Sequence, residues 1–299
     1  MIELIQIVLI LLCAIVLVVL FFYTAYLSVT RFFYHLVDLA ETGSLLLGIS
    51  KPWKLSLKLL SLPMDLGGEL RKMPYYRQLS PAMQRRFESR VARCMHKLVI
   101  LGKDGLVVTP EMRMKVCAGL VKLTFGYRKY IIDGYKEVWL YPNHYRSPIT
   151  GHMHKGETQS GGLVLFSWPD LAAGFENPTD NLHLGLHEWS HALWLALYKN
   201  REVDNRLQIN HTAWDNLIAD TSRIKRWKET GYLRAYAFTN NMELFACAVE
   251  SFFETPAEMA KIHPELYAAL TWTLNQSFEH VALKTPTLRA GVQLKPYRL

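Results

Sequence analysis

The chain has 299 residues, half of them apolar, and a formal net charge of +8. That apolar content excludes a disordered chain, and the length allows one average domain besides any membrane segment. Four scattered cysteines without a C-x-x-C pair exclude a disulfide scaffold, and no helix-turn-helix, zinc-finger or RNA-binding pattern accompanies the positive charge.

Residues 4–30 carry no charged side chain, and Leu4 to Val29 is leucine, isoleucine, valine and phenylalanine almost throughout. A run of that length exceeds the ~20 residues that cross a bilayer as helix. It lacks a basic leader and a clear small-x-small cleavage site, so the expectation is an uncleaved, single-pass anchor over 1–30. Arg31, Lys51, Lys54, Lys58, Arg71 and Lys72 follow the span and no Lys or Arg precedes it, which places the body in the cytoplasm, at a bacterial inner membrane. Cys13, Cys94, Cys117 and Cys247 agree with a reducing compartment. Within the juxtamembrane segment 31–74, Ser44 to Leu60 alternates lysines with leucines around Trp53. That composition suits an amphipathic segment at the lipid headgroups or packed on the body.

A body over 75–283 follows, then a basic tail over 284–299. Ser80-Pro81 and Thr109-Pro110 each read as an N-cap followed by proline at the first helical position. They predict helices to about Lys97 and Leu123, with an extended piece at Gly105–Val108 between them. Tyr130-Ile-Ile and Val138-Trp-Leu-Tyr flank Asp133-Gly134, a hairpin signal. Gly162 to Trp168 reads as another strand, stopped by Pro169. From Asn181 onward the pattern is helical, so the expected class is α+β, mainly helical, with a small mixed sheet.

His187-Glu188-Trp189-Ser190-His191 reads H-E-x-x-H. Histidines four apart share one helix face and converge on one Zn²⁺, and Glu188 stands beside the metal as a general base for an attacking water. The flanks, Asn181 to Leu186 and Ala192 to Leu197, are almost wholly apolar, so the helix is buried. Buried histidines must be paired, hydrogen-bonded or bound to metal.

A catalytic zinc keeps three protein ligands and one open position. The extended pattern with a third histidine is absent, because Trp194 and Leu197 stand at its glycine and histidine positions. Glu202, Asp204, Glu229, Glu243, Glu250 and Glu254 are all chemically possible. Glu243 and Glu250 stand out, seven apart on an otherwise apolar helix. Their separation of ~10.5 Å along the axis prevents both from binding one ion. His183, one turn before His187, is a further competitor.

Several segments in one order carry a resemblance: Gly105 to Arg113, Val138 to Pro142, Gly162 to Asp170, Leu186 to Leu193 and Tyr236 to Pro256. From about Leu79 to Gln276 the body resembles the Mlc titration factor A family of zinc peptidases, which is in turn similar to the catalytic domain of anthrax lethal factor. The resemblance implies a zincin-like metallopeptidase fold, zinc as cofactor, and Glu243 as the third ligand beside His187 and His191. It also implies Tyr236 as a hydrogen-bond donor to the developing oxyanion. The anchor, Trp189-Ser190 inside the motif, and Ala192-Leu193-Trp194 after it depart from the family pattern. The expected function is a membrane-anchored zinc metallopeptidase acting on peptides or proteins. The alternative is a tethered binding protein that captures a cytoplasmic transcriptional regulator, as the family's namesake binds the repressor Mlc, with a non-catalytic zinc site and no direct nucleic-acid contact.

Overall fold

The computed structural model describes residues 14–25, 64–199, 202–278 and 297–298, with single positions at 6, 12, 29 and 62. By internal contacts the chain divides into Met1–Leu60 and Ser61–Leu299. In the first unit, 14–25 is helical, and its large apolar side chains, Phe21 and Phe22 among them, are exposed. The transmembrane helix expected over 1–30 finds no support there: among the described residues no helix is long and apolar enough to cross a membrane. The rest of the expected span lies outside the described residues, as does the lysine- and leucine-rich segment at 44–60.

The second unit opens with three helices, α1 (Met64–Lys72), α2 (Pro74–Gln78) and α3 (Pro81–Lys97). After β1 (Val99–Gly102) comes α4 (Pro110–Thr124). The two Ser/Thr-Pro signals act as expected. Ser80 Oγ accepts from the Met83 N–H at 3.4 Å and Thr109 Oγ1 from the Met112 N–H at 3.2 Å, each satisfying a helix-end donor that has no intrahelical acceptor.

The sheet departs from its expected register. Its extended piece before α4 is Val99–Gly102 rather than Gly105–Val108, because Asp104 and Gly105 take positive φ angles of 49° and 78° and turn the chain out of the sheet. The expected hairpin does not form either. Asp133-Gly134 does turn, with Gly134 at φ 77°, but β2 (Glu137–Tyr141) runs parallel to β1 on one side and to β6 (Leu163–Ser167) on the other. Both edges of β2 are therefore taken, and Tyr130 and Ile132 bury in the core instead. Two short strands, β3 (Tyr145–Arg146) and β4 (Met153–His154), form a separate ladder, and β5 (Gly156–Thr158) closes the main sheet, antiparallel to β6. The order is β1-β2-β6-β5, so β5 is an edge strand. Pro169 does not merely stop β6; it sits in the first turn of α5 (Trp168–Glu176), where a missing N–H costs nothing.

The remaining elements are α6 (Leu184–Tyr198), α7 (Asn205–Ile218), α8 (Thr221–Thr230), a 3₁₀ turn (Ala235–Phe238), α9 (Asn241–Glu254), α10 (Pro256–Ile262) and α11 (Pro264–Leu274). Tyr297–Arg298 adds a strand, β8, parallel to β7 (Gln276–Ser277), while the rest of 284–299 lies outside the described residues. The class is α+β, mainly helical with a small mixed sheet.

Helix α6 is the centre of the packing, lying against α4, α5, α9 and strands β5 and β6. Trp189 drives this. Its side chain is fully buried and its indole N–H donates to the Val116 carbonyl at 3.1 Å. Burying a side chain of that size is worth about 3 kcal/mol, and the satisfied N–H removes the penalty that would offset it.

Asp204 joins two distant parts of the unit. One carboxylate oxygen caps α7 through the Arg206 N–H at 2.9 Å, and the other accepts from the Arg128 and Lys129 N–H groups at 2.8 and 3.0 Å. Asp204→Ala strands three donors, so unfolding in urea is expected to show a loss of about 3 kcal/mol. A loss below about 0.5 kcal/mol would mean that these bonds are not maintained in solution.

Candidate metal centre

Two polar caps place the helices of the site. His183 is the N-cap of α6, its Nδ1 accepting from the Leu186 N–H at 3.4 Å. Asn240 is the N-cap of α9, its Oδ1 accepting from both the Met242 and Glu243 N–H groups at 2.9 Å. Glu243 thus sits in the first turn of its helix, where the macrodipole favours a carboxylate.

Helices α6 and α9 pack on each other and bring the expected residues together. His187, Glu188 and His191 are all buried, with a ligand-capable atom of each within 4.8 Å of the others. The two imidazole rings stand nearly perpendicular, 4.5 Å between centroids. Glu243 faces both: its Oε2 lies 3.0 Å from His187 Nε2 and its Oε1 lies 3.4 Å from His191 Nε2.

The opposite side of His187 decides which ring nitrogen is free. Its Nδ1 lies 2.7 Å from Glu250 Oε1. Arg234 grips that carboxylate, with Nη2 at 2.6 Å from Oε1 and Nη1 at 3.3 Å from Oε2. The His183 N–H also donates to Glu250 Oε2, at 2.8 Å. An ionised carboxylate only accepts, so Nδ1 carries the hydrogen and Nε2 offers its lone pair toward Glu243. Glu243 Oε2 is buried with no hydrogen bond. Two lone pairs facing each other at 3.0 Å repel unless a proton or a cation lies between them. The donor set of two imidazole nitrogens and one carboxylate therefore fits a divalent metal ion. His187, Cys247 and Glu250 also cluster, on the Nδ1 side. There the Arg234 guanidinium already supplies the positive charge, with Nη2 at 3.2 Å from Nδ1.

Glu188 lies on the sheet side. Thr158 Oγ1 on β5 is 2.9 Å from Glu188 Oε2 and 2.8 Å from the Glu188 carbonyl oxygen, so its single hydrogen serves one at a time. Gly156 on the same strand is required by close approach, since a Cβ there would stand 2.6 Å from Glu188 Oε1. Burial lifts the Glu188 carboxyl above the usual carboxylate range, against the pull of His191 and His187.

Tyr236, on the 3₁₀ turn, has its ring 6.2 Å from that of His187 and is half exposed, so it is not a core tyrosine. Its phenol is pushed up to about 12, by partial burial first and then by the charge of Glu243. His183 and Glu250 take other positions than ligands: the first caps α6 and the second grips His187 Nδ1. The sequence reading contained no Arg234, Thr158 or Gly156. Arg234 lies outside the helices and bonds a residue sixteen positions away, a pairing that no local spacing announces.

The chain is 23% identical to an uncharacterized protein of Synechocystis over 67% of this chain and 78% of that protein. It is 25% identical to the Mlc titration factor A of Klebsiella pneumoniae over 65% of this chain and 80% of that protein. With the Mlc titration factor A of Yersinia pestis it shares 25% identity over 67% and 80% of the two chains. Residues 61–273, which contain all the groups described above, match the family described as glucose-regulated metallo-peptidase M90, and the chain belongs to that family.

Proposed function

We propose that this chain is a zinc metallopeptidase that hydrolyses peptide bonds with Glu188 as general base. The observation that carries the reading is the convergence of His187 Nε2, His191 Nε2 and the Glu243 carboxylate at a buried point beside the Glu188 carboxylate. His187, His191 and Glu243 would hold the ion, and a set of two nitrogens and one oxygen with a position left open suits zinc. When bound, the metal supplies a Lewis acid that acidifies a water and polarises the scissile carbonyl.

The chain's own groups do the rest. Glu188 takes the proton of the attacking water and returns it to the leaving amine. Thr158 orients one of its oxygens. Tyr236 keeps its proton at neutral pH and donates it as a hydrogen bond to the charge growing on the carbonyl oxygen. Glu250, clamped by Arg234, keeps His187 in the tautomer that presents Nε2. As the outermost strand of the sheet among the described residues, next to Glu188, β5 would give an extended peptide a strand to pair with.

The family name shared by two relatives, Mlc titration factor A, favours a second reading, a binding protein for a cytoplasmic transcriptional regulator. Membrane attachment through residues 4–30 rests on their uncharged composition and on the exposed apolar side chains of 14–25.

The full chain, purified in detergent, is expected to hold one zinc. Glu188→Gln should retain that zinc and lose peptide hydrolysis by at least about 10²-fold, whereas His187→Ala should lose both. Hydrolysis by Glu188→Gln at the wild-type rate would remove Glu188 from the mechanism. Capture of a regulator that ignores Glu188→Gln, with no peptide cleaved, would favour the binding protein. For Glu250→Ala, competition with a chelator should show zinc held roughly 10- to 100-fold more weakly; unchanged affinity would reduce Glu250 to a packing role. Alkaline carbonate washing should leave the full chain with the membrane pellet, and its release into the supernatant would end the anchored reading.

A further inference from the structure

On another side of the same two helices lies a cavity of about 190 Å³ that the metal centre does not use. Its wall includes Lys122 of α4, His183 at the N-cap of α6 and Glu254 at the end of α9. All three are more than nine-tenths buried, at 5%, 1% and 8% exposure. Lys122 Nζ lies 5.8 Å from the Tyr75 ring centre and 5.4 Å from that of Phe253. Among the described residues, His183 Nε2 is buried without a hydrogen bond, and the Glu254 carboxylate, also buried, has no side-chain partner beyond a backbone hydrogen bond from Asn181. Because His183 Nδ1 accepts from Leu186, Nε2 carries the ring hydrogen and is a donor.

Lys122 and Glu254 feel each other's charge without forming an ion pair. Burial lowers the lysine's pKa to about 8 and raises the glutamate's to about 7, against their mutual attraction. A chain that only needed to fill this space would do better with apolar residues. The rest of the wall includes Phe175, Phe253 and Phe278, with Gln78 and Thr179 as further polar residues.

We propose that this cavity binds a free α-amino acid with an apolar side chain, or a zwitterion of the same size, outside the metal centre. Its carboxylate meets Lys122 and the His183 Nε2–H, its ammonium meets Glu254, and its side chain lies among the three phenylalanines. The volume suits such a ligand, since a cavity of about 150 Å³ already admits benzene. The occupant touches both helices of the metal centre: Glu254 ends the helix that carries Glu243 and Glu250, and the His183 N–H is bonded to Glu250. The proposal does not depend on the peptidase reading, because binding is read without turnover.

The test is isothermal titration calorimetry of the full chain in detergent against L-leucine, L-methionine and L-phenylalanine. N-acetyl-L-leucine, which lacks the ammonium, and L-leucinamide, which lacks the carboxylate, serve as comparators. At least one amino acid is expected to bind at one site per chain with a Kd below about 1 mM. Each comparator should bind at least about tenfold more weakly. Lys122→Met and Glu254→Gln, with folding verified by circular dichroism, should weaken the amino acid by a similar factor. Absence of binding by all three amino acids overturns the proposal. So does equal binding of both comparators, or of both folded variants. Should the variants fail to fold, the comparator series on the wild-type chain decides alone.

Discussion

The His187 ring is held from both sides by carboxylates. Glu250 takes the Nδ1 hydrogen at 2.7 Å, and Glu243 stands 3.0 Å from Nε2. The two acids leave one helix seven residues apart, and the ring enters between them from another. That placement requires α6 and α9 to pack with their polar faces inward, which is costly unless every charge finds a partner. Arg234 and the His183 N–H complete the outer side. The inner side stays unsatisfied by the protein alone, which is why the centre reads as a site for a cation rather than as a structural ion pair.

Everything around this contact serves to hold it still. Trp189, within the motif but turned from the metal centre, fixes α6 from behind, while Ser190 is satisfied inside the helix. The indole bonds α4 and the Ser190 hydroxyl bonds the Leu186 carbonyl at 2.7 Å. Polar caps set the start of each helix, so the axial positions of His187 and Glu243 are defined to within a fraction of a turn. The sheet contributes through its edge strand, where a glycine lets Glu188 approach and a threonine aims it. The side chains of the centre come from two helices, a strand and a 3₁₀ turn.

Much of this was legible in the sequence. The H-E-x-x-H spacing, its apolar flanks and the Ser-Pro and Thr-Pro signals are local patterns, and local patterns report the periodicity and capping of single elements. Where expectations failed, the deciding force was non-local. The turn at Asp133-Gly134 exists, yet the strands flanking it do not pair, because β2 finds better partners in β1 and β6. Pro169 stops a strand and opens a helix with one set of properties, and only its neighbours decide which of these matters.

The sequence by itself determined the helix that carries both histidines and Glu188, because one turn of helix separates residues four apart whatever surrounds them. It also narrowed the third carboxylate to two glutamates on an apolar helix, with the family resemblance selecting Glu243. Tertiary structure alone decided that Glu250 faces Nδ1 while Glu243 faces Nε2, and that Arg234 stands beside Nδ1. The physical reason is distance along the chain. Glu250 and His187 are 63 residues apart, and their meeting is set by how two buried helices cross, a quantity that no spacing within either helix contains.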